Sequence, residues 1–130
     1  MKPGDVLEPL VIEAVDTEPM KTMAALLGDP TPIHYDAEVV RALGLGDAPI
    51  NQGPMNIGYL VELACRAGGG PQALRRIAVR LHGSVFAGDR VECTATVAAV
   101  DEAAGTAELE LRATAGGRDV LSGSATIATG

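Results

Sequence analysis

The chain has 130 residues, 47% hydrophobic and 21% charged, and a formal net charge of -7 from ten basic and seventeen acidic residues. That length supports one domain, residues 1–130, with a sizeable core. The acidic balance and the scarcity of aromatic residues (Tyr35, Tyr59 and Phe86 are all there are) argue against nucleic acid as a partner, because binding to it draws on phosphate neutralisation and base stacking.

No apolar run is long enough to span a bilayer, so no membrane partner is expected. The N-terminal MKPGDVLEPL carries acids and a proline where a signal peptide needs an uninterrupted apolar stretch, and a cytoplasmic location is expected. Cys65 and Cys93 each lie in an apolar run and read as small buried hydrophobes, kept reduced. No metal site and no cofactor is expected.

In chain order, Val6 to Val15 reads as a first strand, with Pro9 confining its start to an edge or loop. TEPMKTMAALLG reads as a helix with Thr17 as N-cap, Met20, Met23, Ala24 and Leu27 on one face, and Gly28 as its end. DAEVVRALG reads as a short helix capped by Asp36 and stopped by Gly44. QGPMNIGYLVELACRAGGG is the clearest helix, with Gly53 at the N-cap and Pro54 at the first helical position, where a missing N–H costs nothing. Its apolar residues leave only a narrow polar stripe, on which Glu62 and Arg66 can pair one turn apart. Such a helix is expected to be buried on most sides.

The second half supplies four strands, ALRRIAVRL, RVECTATVAAV, TAELELRATA and RDVLSGSATIA, separated by turn signals. In the third of these, Ala107, Leu109 and Leu111 face one way and Glu108, Glu110 and Arg112 the other, giving one core face and one wet face. The expected class is α+β: an antiparallel meander wrapped around a long central helix.

GDPTPIHYD, from Gly28 to Asp36, places an acid and a histidine five residues apart in a stiff loop. Both prolines push their predecessors, Asp29 and Thr31, away from helical geometry. Spacing alone does not make Asp29 and His34 converge, and an ordinary loop between a capped and a terminated helix fits the same residues. The start of the long helix adds a second feature. Backbone N–H groups and the positive end of a helix dipole at Gly53 form an oxyanion-binding position. An acid, a base and an oxyanion donor are what water addition to an α,β-unsaturated thioester requires.

GDPTPIH resembles the hydratase motif of the MaoC-like, (R)-specific enoyl-CoA hydratases, Gly-Asp-x-Asn-Pro-Ile-His. RLHGSVFAGDRV resembles the same family's Phe-x-x-Pro-Val-Phe-x-Gly-Asp strand pair, and Gly53 matches the glycine that begins the family's central helix. The resemblance runs from Val6 to Ile127 and implies the hot-dog fold. It also implies hydration of trans-2-enoyl-CoA to (R)-3-hydroxyacyl-CoA, or the reverse dehydration. Carried over by position, His34 would be the general base, Asp29 would orient water and shuttle a proton, and the Gly53 N–H would polarise the thioester carbonyl. Thr31 stands for the loop asparagine and Gln52 for a residue commonly histidine; both are candidate substrate contacts. Pro54 leaves Gly53 as the main donor.

GGGPQALRRIAVRLHGSVFAGDRV and the short single-domain format resemble the small subunit of actinobacterial steroid side-chain enoyl-CoA hydratases. That resemblance implies either a homodimer or a heteromer with a second hot-dog subunit. Arg75 and Arg76, beside the GGGP loop, are candidate contacts for CoA phosphates. His82 has no acid at a telling spacing and is expected to be structural. An acyl-CoA thioesterase and a noncatalytic or partner-dependent subunit are the competing readings. The first is disfavoured by Glu62 being the only acid on the helix, the second by the intact Asp29 and His34.

Overall fold

The computed structural model describes all residues from Met1 to Gly130. The elements in order are β1 (Leu10–Ile12), α1 (Thr17–Leu27), α2 (Ala37–Ala42), α3 (Gly53–Gly68), β2 (Leu74–Leu81), β3 (Val91–Asp101), β4 (Thr106–Ala115) and β5 (Arg118–Ala128). Short 3₁₀ turns occupy Pro32–His34 and Pro71–Ala73. The five strands form one antiparallel sheet in the order β1-β3-β4-β5-β2. α3 packs against β2, β3, β4 and β5, which is the hot-dog arrangement.

The alternation in β4 is realised: Ala107, Leu109, Leu111, Ala113 and Ala115 are buried, while Glu110 and Arg112 are exposed on the other face. β3 and β5 contribute Val91, Cys93, Ala95, Val97, Leu121, Ala125 and Ile127 to the same core, against Leu60, Leu63 and Ala64 of α3. Cys93 is fully buried, and burial pushes its thiol up to about 12. It is therefore uncharged and unreactive at ordinary pH.

The structure departs from the sequence reading in five places. The first strand shrinks to Leu10–Ile12, paired with β3, and Val6 adds only an isolated bridge to Thr96. The chain ahead of Pro9 cannot continue a regular ladder because proline donates nothing to it. Asp16, not Thr17, caps α1: it is extended, and its carboxylate accepts the Glu18 N–H at 3.0 Å. Gly53 is the first helical residue of α3, and the extended Gln52 holds the N-cap. Only β3, β4 and β5 form a meander; β2 crosses to the far side and pairs with β5. α3 is also covered on one side only. Asn56, Leu60, Leu63 and Ala64 are buried, whereas Ile57, Val61 and Cys65 stay half-buried, because one sheet cannot enclose a helix all round.

β2 lies close against β5 at Gly123. A Cβ there would be driven into the Ala78 carbonyl, with further contact to Val79 Cα at 3.2 Å. Gly58, on the exposed side of α3, has nothing within 4 Å of an added Cβ. Gly123→Ala should therefore cost about 1–3 kcal/mol as an overpacked site. Gly58→Ala should stabilise by roughly 0.5–1 kcal/mol through helix propensity. Urea unfolding at constant m-value reads both, and a neutral Gly123→Ala would refute the tight β2–β5 approach.

Candidate active site

α1 ends at Gly28 in the left-handed conformation, φ 61° and ψ 30°. The Asp29 N–H returns to the Ala24 carbonyl at 2.9 Å. This closure fixes the direction in which the loop leaves the helix. Thr31 then donates to Asp29 Oδ1 twice, from its N–H at 3.0 Å and from its hydroxyl at 2.5 Å. The 3₁₀ turn at Pro32–His34 folds the chain back, and the Tyr35 hydroxyl ties it down by donating to the Pro30 carbonyl at 3.0 Å. Asp36 caps α2, accepting from the N–H groups of Glu38 and Val39.

The outcome is convergence. Asp29 Oδ2 lies 3.5 Å from His34 Nε2, with 32% and 12% of the respective side chains exposed, so the pair is walled yet reachable. His34 Nδ1 lies 2.7 Å from the Ile50 carbonyl oxygen. A carbonyl can only accept, so Nδ1 carries a proton, and in a neutral imidazole Nε2 then presents its lone pair to Asp29. Two acceptors facing each other beyond the usual reach of about 2.7–3.2 Å suit a shared donor, such as a water giving one proton to each. The two Thr31 hydrogen bonds, the hydroxyl foremost, hold the Asp29 carboxyl below its ordinary value. It is thereby kept ionised.

The loop is joined to α3 through Ile50, whose N–H donates to the Ile33 carbonyl at 2.8 Å. Three residues later the Gly53 N–H opens α3 with no acceptor from the protein. Such free N–H groups and the helix dipole make this end receptive to developing negative charge. Gly53 has no left-handed backbone requirement. An added Cβ would meet only Leu81 Cδ2, at 3.8 Å. The chain's own packing therefore does not demand glycine here.

The remaining predicted contacts are placed differently. The Thr31 hydroxyl is committed to Asp29. Gln52 is 2% exposed and donates from Nε2 to the Met20 carbonyl at 2.7 Å, which fastens α3 to α1, while its Oε1 is buried with no partner. Arg75 and Arg76 are exposed at the start of β2, while the Leu81 end of that strand neighbours Gly53. At strand rise, the six and five positions that separate Arg75 and Arg76 from Leu81 span about 17–20 Å. His82 is exposed and meets Ser122 Oγ at 2.6 Å on the outer side of the sheet, away from the loop.

Sequence reasoning missed Ile50 and the polar cluster after it, the buried Asn51 and Asn56 with the half-buried Tyr59. Ile50 acts through its backbone, which no side-chain pattern reveals. Asn56, a polar residue on the inner face of an otherwise apolar helix, was the available signal.

Comparison with known proteins gives a consistent picture. The sequence pattern of the MaoC like domain family matches residues 3–116. No curated protein matches the chain. Among solved structures, the (R)-hydratase from A. caviae involved in PHA biosynthesis is similar over all of this chain and 98% of its own, with a TM-score of 0.85 at 22% identity. A MaoC-like dehydratase matches the whole of this chain over 41% of its own length, with a TM-score of 0.91 at 24% identity. The ChsH1-ChsH2 complex from Mycobacterium tuberculosis covers 97% of this chain and 96% of the matched one, with a TM-score of 0.76 at 21% identity. At these identities the structures establish the hot-dog fold, and the family match carries the assignment: the chain belongs to the MaoC-like domain family.

Proposed function

We propose that the chain is a hydratase of enoyl thioesters, converting trans-2-enoyl-CoA, or the matching acyl carrier protein thioester, to the (R)-3-hydroxyacyl form, or catalysing the reverse. The observation that carries this reading is the His34 Nδ1–Ile50 bond at 2.7 Å, which leaves Nε2 bare opposite Asp29. A water held between the two donates to both. His34 accepts its proton as the oxygen bonds to C3. The electron pair of the C2–C3 double bond moves toward the carbonyl, and the thioester oxygen is met by the Gly53 N–H at the positive end of α3. The proton then passes through the Asp29–His34 unit to C2, which balances the addition. Thr31 supports the step by keeping Asp29 charged.

Arg75 and Arg76 have no carboxylate partner, whereas Arg66, Arg90, Arg112 and Arg118 do. Arg75, whose Nη1 donates to the Gln72 carbonyl at 2.5 Å, and Arg76 thus have no carboxylate competing with the phosphates at the far end of a CoA. A thioesterase reading loses support because Glu62, the helix acid, is paired with Arg66 and stands nine residues beyond Gly53. Nine residues are roughly 13 Å of helix.

One observation favours a partner-dependent form of the same activity. None of the chain's grooves is lined by Asp29, His34 or Gly53. The outer edge of β2 is unpaired, and Leu81, 50% exposed, ends that strand beside Gly53. A second hot-dog chain along this edge would satisfy the strand and wall the site. It could be a copy of this chain or a different subunit, working in the cytoplasm.

Hydration of crotonyl-CoA is the direct test. Asp29→Asn and His34→Ala should each lower turnover by about 10²–10⁴-fold with the fold intact, and His82→Ala should stay within a few-fold. Near-normal turnover in either dyad variant would remove the assignment. Thr31→Val deletes the hydroxyl bond that holds the Asp29 carboxyl down. The acid limb of the rate profile should then move to higher pH, while Thr31→Ser keeps it in place; identical profiles would show that Asp29 charge is not at work. Light scattering should find a dimer or larger, and a fully active monomer would contradict the assembly.

A further inference from the structure

The entry into α3 is closed by a polar contact where helices of this kind commonly use an apolar one. A residue just before the N-cap often packs on the fourth helical residue and fixes the angle at which the chain enters. Here those two positions are Asn51 and Asn56, each only 3% exposed, and Asn51 Nδ2 donates to Asn56 Oδ1 at 2.8 Å. The same amide nitrogen reaches the Tyr59 hydroxyl oxygen at 3.0 Å, one helical turn on. The Asn51 backbone N–H donates to the Val85 carbonyl at 2.7 Å. Asn51 Oδ1 is buried with no partner. An apolar pair of the same size would be at least as stable, because it leaves no buried acceptor unsatisfied. Fold stability alone therefore does not account for this cluster.

Its position does. Asn51 follows the carbonyl that holds His34 Nδ1 and precedes the Gly53 N–H by two residues. We infer that Asn51, Asn56 and Tyr59 are positioning residues: their hydrogen bonds hold the Ile50 carbonyl against His34, setting the imidazole tautomer and the separation between that base and the Gly53 N–H. Apolar packing would let the turn slide by small amounts, whereas directional bonds from one amide to two acceptors do not. Small displacements matter because a misplacement of about 1 Å can cost on the order of 10²-fold in rate.

The kinetic part of this inference rests on the hydratase reading; the tautomer part does not. The test is therefore run on both. With two histidines in the chain, proton–nitrogen NMR resolves His34 from His82, and the wild-type His34 should carry its proton on Nδ1. The paired replacement Asn51→Leu with Asn56→Leu should keep the melting temperature at or above wild type. It should mix the His34 tautomers and lower kcat for crotonyl-CoA by about 10–100-fold with little change in KM. Tyr59→Phe, which removes one acceptor and keeps the Asn51–Asn56 bond, should move both readouts the same way by less, and serves if the pair does not fold.

A wild-type His34 protonated on Nε2 overturns the inference. So does a Leu pair, or a Tyr59→Phe variant in its place, that retains the wild-type His34 spectrum and kcat. If the wild type, alone and together with a second hot-dog subunit, does not hydrate crotonyl-CoA while the NMR signature appears and is lost in the Leu pair, the hydratase reading fails and the positioning role stands.

Discussion

Ile50 joins the two halves of the site with its backbone alone. Its N–H donates to Ile33, its carbonyl accepts from His34, and it bridges to Phe86 on the sheet side. A neutral imidazole with no acceptor at Nδ1 is free to exchange tautomers and rotate, and it then offers a base only part of the time. The 2.7 Å contact removes that freedom. The loop that carries Asp29 and His34 is thereby tied to the segment that leads into α3.

The electrostatics of the site follow from hydrogen bonds more than from burial. Asp29 is held below its ordinary value chiefly by Thr31, with His34 a smaller contributor and desolvation opposing. A depressed folded-state value means that the stabilisation these bonds give is present above the unfolded carboxylate range. It is lost as pH falls through the lowered value. The Asp29 charge therefore persists across physiological pH. The positive end of α3 begins three residues after Ile50.

The scaffold holds this arrangement with a thin core. One sheet covers one side of α3, and within that sheet Gly123 lets β5 lie close against the β2 backbone at Ala78 and Val79. The long strands β3, β4 and β5 carry most of the buried core residues, while α1 and α2 both contact the 3₁₀ turn at Pro32–His34 between them. Gln52 fastens α1 by reaching from the start of α3 to the Met20 carbonyl. A residue that stands at a position associated with chemistry thus serves to tie two helices together. The half-buried Ile57, Val61 and Cys65 mark the side of α3 that the sheet does not reach.

Much of this was legible in the residues. Strict alternation in β4, the Gly-Pro start and triple-glycine end of α3, and the caps at Asp36 and Gly28 are local signals, because period, capping and φ preference act within a few residues. The motif around Asp29 and His34 identified the loop. Its geometry was not readable there: whether the two side chains meet depends on one 3₁₀ turn and two Thr31 bonds, and an extended loop would have separated them.

Only tertiary structure decided the rest. The crossing of β2 to the far edge, the burial of Gln52 and the distance of Arg75 and Arg76 from Gly53 all depend on which strands pair and which helices touch. The Ile50 carbonyl belongs to the same class. Every residue has a carbonyl, so a sequence cannot say which one a histidine will find; that is settled when a residue sixteen positions away is folded against it.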